Sequence, residues 1–178
     1  MPIWKLLLQS PLWSTGTNDL LEQFSQVARV ISARDTLQAE RQMFYLELGG
    51  FDTHSDVGGV LEENFAEIDA ALASFVAEME AQGRWGDVAV LSVSEFGRTI
   101  SSNGNGGTDH GWGGNHVVLG GAVKGGQVFG QYPDDLSDDG PLSTGRGRII
   151  PTTPWDGVWA PMAEWLGVEA GSVERWVC

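Results

Sequence analysis

The sequence is short of several things, and each shortage excludes something. It has one cysteine, Cys178, at its last position. That excludes an internal disulfide framework and any thiolate-built zinc cluster. It has few cations: ten Lys and Arg against 24 Asp and Glu, a formal net charge of −14. The ten are scattered, so no basic patch offsets the average, and a nucleic-acid backbone would be repelled. Long apolar runs are missing too. The opening stretch MPIWKLLLQSPLW has three consecutive leucines, too few for the apolar core of an export signal or for a membrane span. Neither nucleic acid nor a membrane is expected as a partner, and the sequence carries no visible cellular address of its own.

What is plentiful is glycine and tryptophan, 25 and eight residues. Glycine at this level points to long, shaped loops, because it reaches backbone conformations closed to other residues. Tryptophan supplies bulky packing and, at a surface, a place for a partner. At 178 residues and 42% hydrophobic content, residues 1–178 read as a single domain with ample length for a core.

Residues 1–16 look irregular, with Pro2, Pro11 and Gly16. A helix is expected from Thr17 or Asn18, either of which can cap it, and Leu20, Leu21, Phe24, Val27, Ala28 and Ile31 fall on one face. Met43–Leu48 reads as a buried strand stopped by Gly49 and Gly50. A second helix should run from about Val60 to Gln82, with Leu61, Phe65, Ile68, Leu72, Phe75, Val76 and Met79 as its apolar stripe and Gly83 as its stop. Val88–Val93 is the next strand, and Val117–Leu119 another. Strand, helix and strand at this spacing predict a βαβ unit with parallel strands and a right-handed crossover. The expected fold class is therefore α/β, a mostly parallel sheet flanked by helices. Residues 131–148 read as loop, and a final amphipathic helix starts near Pro154, with Pro161 able to kink it.

The chemistry gathers around Asn103–His116, NGNGGTDHGWGGNH, which holds six glycines and two of the three histidines. Ligands of an open parallel sheet bind beyond the C-terminal ends of its strands. Asp52-Thr53-His54 and Ser94-Glu95 sit at two such ends. Residues two apart in an extended segment point the same way, so Asp52 and His54 can face one ion. Asp109, His110 and His116 can fold over the same edge. Carboxylates and imidazoles without thiolates suit a divalent metal, zinc or manganese first. Asp52, His54, His110, Glu95, Asp109 and His116 are thus the candidate ligands. Against this, an Asp-X-His can simply cap a turn, and a histidine opening a strand can simply pack. Arg98 has a guanidinium fork suited to a phosphate or sulfate oxyanion, or to a structural ion pair.

Other signatures fail. Gly104–Gly107 is followed by no Gly-Lys-Ser/Thr, Ser92 and Ser94 lie in no G-x-S-x-G elbow, and Asp134–Gly140 lacks EF-hand spacing.

The segments GGFDTH, SEFGRT, NGNGGTDHGWGGNH and GGAVKGG, in this order, strongly resemble the bacterial-type domain of unknown function 1501, as do Gly145–Thr153 and the last helix. That family is placed in the alkaline phosphatase and sulfatase superfamily. The resemblance implies part of an alkaline-phosphatase-like fold, two neighbouring metals, and a Ser, Thr or Cys-derived nucleophile acting on a small anionic ester. It makes Asp52 and His54 ligands of the first metal, with one residue between them where the superfamily often has three. It leaves two mappings for the rest. Asp109-His110 can match the Asp-His pair of the second metal. Alternatively Glu95 and Phe96 occupy that place, which leaves His110 as third ligand of the first metal and weakens the second site. The second mapping is preferred. Family members resemble chains more than twice this length, and the nucleophile belongs to the part preceding what is seen in this chain. The resemblance thus implies a C-terminal portion, weak or inactive alone, exported or periplasmic, with a sheet face exposed to self-association or a partner chain. A non-catalytic metal- or ligand-binding domain and a structural remnant are the competing readings.

Overall fold

The computed structural model describes residues 19–170. The expectations for residues 1–18, including the caps at Thr17 and Asn18, and for Cys178 lie outside them. Two compact units divide the chain. The first holds the described residues up to Val93 with Asn103–Gly107 and His116–Gly125; the second holds Ser94–Ser102, Thr108–Asn115 and the residues from Gly126 on.

The first unit is built on two helices, α1 (Asp19–Ser32) and α3 (Val57–Ala81), with the short α2 (Arg34–Leu37) between them. The 3.6-residue period does the work. Leu20, Leu21, Phe24 and Ala28 of α1 are buried against Ala71, Phe75 and Met79 of α3. The Phe24 and Phe75 rings meet at 4.8 Å. Each such large side chain stabilises the pair by roughly 1.5–3 kcal/mol on burial. Glu67 of α3 accepts the Leu20 N–H at 3.1 Å, serving one of the orphan donors of the first turn of α1. The expected stripe of α3 is buried only in its C-terminal part. Phe65 is exposed and meets Phe51 at 6.3 Å between ring centres. Beyond Gly83, whose φ is +66°, a 3-10 turn at Trp85–Asp87 leads to β1 (Ala89–Leu91). Trp85, Val88 and Val90 pack on the helical core, as do Leu46 and Leu48.

The parallel sheet expected from the sequence does not form. Among the described residues there are two separate two-stranded sheets, both antiparallel. β1 pairs with β4 (Val118–Gly120) in the register Ala89↔Gly120, Val90↔Leu119, Leu91↔Val118. Met43–Leu48, the expected first strand, joins neither sheet. The physical reason lies in α1. The side-chain amide of Gln23 donates to the Glu47 carbonyl at 2.8 Å and accepts the Glu47 N–H at 2.9 Å. One glutamine thus satisfies both backbone groups that a neighbouring strand would have taken. Glu47 is held by a side chain, and the parallel βαβ pairing is absent.

The second unit contains the hairpin strands β2 (Gly97–Ser102) and β3 (Thr108–Gly111), in the register Gly97↔Gly111, Arg98↔His110 and Ser102↔Thr108 with an irregularity between. Ile100 N–H donates to Gly147 O at 2.9 Å and Gly113 N–H to Ile149 O at 2.8 Å, which ties residues 143–149 to the hairpin. The last helix, α4 (Asp156–Trp165), has Pro161 inside it and buries no residue fully; Trp155 and Trp159 stack at 5.9 Å on it. No helix among the described residues is long and apolar enough to cross a membrane.

Candidate metal centre

In the first unit a tight turn closes at Asp52-Thr53-His54, where the His54 N–H donates to the Asp52 carbonyl at 3.1 Å. The extended segment expected from the sequence is not what brings the two together. Asp52 and His54 are exposed and Thr53 is buried. His54 Nε2 lies 2.9 Å from Asp52 Oδ1, so both side chains converge on one spot in contact with water. The Thr53 hydroxyl is buried and has no hydrogen-bond partner among the described residues.

The backbone behind this pair is clamped by the glycine-rich loop. Asn103 Nδ2 donates to His54 O at 2.9 Å. Val57 N–H donates to Gly106 O at 3.0 Å, and Ser55 and Gly106 form a bridge. A side chain at Gly107 would overlap the His54 backbone, so glycine is required there for the close approach. His116 is also in this unit, exposed, just ahead of β4. Partial burial lowers its pKa, and a backbone hydrogen bond with Ser92 opposes the shift. Its neighbour Val117 donates its N–H to Ser92 Oγ at 2.8 Å. His116 therefore belongs to the joint between β1 and β4.

In the second unit, His110 is carried by β3. Its ring stacks on Phe96 at 4.0 Å and 8°. Arg98, opposite it in register, lies over the same Phe96 ring at 5.7 Å. Arg98 Nε donates to Thr108 Oγ1 at 2.9 Å, and Nη2 donates to the Thr108 carbonyl. The fork expected to take a substrate anion is thus engaged in holding the hairpin. Asp109 N–H donates to Thr99 Oγ1 at 3.0 Å, and its carboxylate sits 3.4 Å from Arg146 Nη2. Glu95 stands in the exposed turn before β2. Sequence reasoning missed Phe96, Thr108 and Arg146 as the residues that fix this face. The glycines flanking Arg146 were the available signal for the last.

Asp52 and His54 of the first unit and His110 of the second are exposed residues of metal-ligating type. The chemistry fits. One carboxylate and two imidazoles without a thiolate match zinc or manganese. Two ligands at normal bond lengths on a tetrahedral zinc are about 3.3 Å apart. The Asp52–His54 separation of 2.9 Å needs only a small opening to reach that.

The family described as "Protein of unknown function (DUF1501)" matches residues 10–141. The chain belongs to this family. The DUF1501 match takes in every candidate ligand and the glycine-rich loop, and it ends at Pro141, ahead of Arg146 and α4. No curated protein and no solved structure matches the chain.

Proposed function

We propose that this DUF1501 chain carries a divalent-metal site of hydrolase type, directed at phosphate or sulfate esters. Asp52 and His54 are its fixed pair and His110 its third ligand. The observation that carries the reading is the exposed 2.9 Å contact of Asp52 and His54 on a backbone clamped from behind. Chain reach supports His110. It follows Gly107, which lies against the His54 backbone, by three residues, a span of at most about 10 Å. The resemblance of the motifs to the phosphatase and sulfatase superfamily supports the ester class.

In this reading Asp52 supplies an anionic oxygen, His54 and His110 supply neutral nitrogens, and Phe96 holds the His110 ring in plane. A bound ion would polarise an ester oxygen and stabilise charge developing on it. One observation favours a second reading, metal binding without catalysis by this chain alone. The Thr53 hydroxyl is buried and the Ser94 hydroxyl donates to Phe96 O at 3.0 Å, so neither is poised as an attacking group.

The test is metal content by elemental analysis after zinc or manganese loading, with aryl phosphate and aryl sulfate assays on the same samples. His54→Ala and His110→Ala should each lose the ion. Equal metal in the wild type and both variants sinks the site. Metal without turnover selects the second reading.

A further inference from the structure

We infer that Arg146 is a binding residue for an oxyanion, with Asp109 as its resting partner. The ligand class rests on the ester reading above, but the geometry stands without the metal. The turn that carries Arg146 has an uncommon backbone. Gly145, Arg146 and Gly147 have φ of +83°, +58° and +70°, three successive residues in the left-handed region. Glycine adopts it freely; arginine does so under strain. Strain of this kind persists only where the surroundings enforce it, and it gathers at functional sites.

The surroundings do enforce it. Gly147 N–H donates to Asp138 Oδ1 at 2.7 Å, and Gly147 O accepts Ile100 N–H at 2.9 Å. Thr144 N–H reaches Arg148 O at 2.9 Å, and Gly145 N–H reaches Ser143 Oγ at 3.0 Å. A side chain at position 147 would overlap the Ser101 backbone. The guanidinium is thereby presented from a stiff base, and its side chain is 75% exposed. Among the described residues it contacts Asp109, at 3.4 Å, at the long end of hydrogen bonding. An exposed pair of this kind adds little stability, so it does not account for the strained backbone. A planar fork held by a loose carboxylate contact is suited to exchange that carboxylate for a bidentate phosphate or sulfate. Arg98 is not equivalent, because Thr108 and Phe96 engage it.

The experiment titrates inorganic phosphate, and separately sulfate, into the full chain after chelator treatment, followed by NMR or calorimetry. Failure of the metal site therefore leaves the result readable. The variant of choice is Arg146→Gly, which suits the left-handed backbone and keeps the turn. It should lose phosphate affinity by about tenfold or more with an unchanged or raised melting temperature. Asp109→Asn should bind phosphate more tightly, since it removes the competing carboxylate. The inference is overturned if the wild type shows no saturable phosphate binding, if Arg146→Gly binds as the wild type does, or if Arg146→Gly lowers the melting temperature and Asp109→Asn leaves affinity unchanged. That last pattern would mark a purely structural ion pair.

Discussion

Gly107 lies so close against His54 that a single added methyl group would overlap the His54 carbonyl. The neighbouring clamp, Asn103 Nδ2 to His54 O at 2.9 Å, holds the same peptide. The orientation of a candidate ligand is thus set from behind by a residue with no side chain.

Gly107→Ala should therefore act on the centre without touching a ligand. Overpacking of this kind costs roughly 1–3 kcal/mol, and relief requires the His54 backbone to move. The expected outcome is a lower melting temperature together with weaker zinc or manganese binding in a competition titration. Metal affinity equal to the wild type's would show that the clamp has no part in holding the ligand.

Gln23→Ala tests what replaces the missing strand pairing. It removes both hydrogen bonds to Glu47, which are exposed, and about 1 kcal/mol should be lost. The specific sign is faster hydrogen exchange at the Glu47 amide. Protection unchanged in the variant would mean that another group satisfies Glu47.

His116 makes stability depend on pH. Burial pulls its folded-state pKa below histidine's ordinary 6.5. Between that lowered value and 6.5 the unfolded chain binds more protons than the folded one, so stability rises with pH across this window. The contribution is complete above about pH 6.5 and is lost as pH falls through the folded value. The effect is small, because the residue is exposed. Denaturant midpoints at pH 7.5 and pH 5.5 should differ less for His116→Asn than for the wild type. An identical difference in both proteins would remove His116 from the pH response.

The parts legible in the sequence are those governed by local period. Leu20, Leu21, Phe24 and Ala28 mark a buried helical face, because residues three and four apart share a side whatever lies opposite. Asp52 and His54 are close in the structure as well, but through a turn in which the His54 N–H donates to the Asp52 carbonyl at 3.1 Å, not through the extended geometry the sequence suggested. The β pattern was not legible in this way. Met43–Leu48 is apolar enough to read as a buried strand, but Met43 and Tyr45 are exposed in the structure, and an apolar run says nothing about which partner fills the backbone hydrogen bonds.

Arg98 and Arg146 show the same boundary for function. The sequence left Arg98 open between an oxyanion binder and a structural ion pair, and gave Arg146 no role of its own. The neighbours of Arg98 across the hairpin, Thr108 and Phe96, are what engage it, and register pairs are set by folding rather than by adjacency. The sequence by itself determined the donor types, their lack of thiolates and the helical core face, all consequences of composition and short-range geometry. Only the tertiary structure decided that a glutamine side chain takes the place of a strand, that the sheets are antiparallel, and that Arg98 is engaged while Arg146 is presented. Those depend on contacts between residues distant in the chain, each chosen by competition for the same hydrogen-bonding groups.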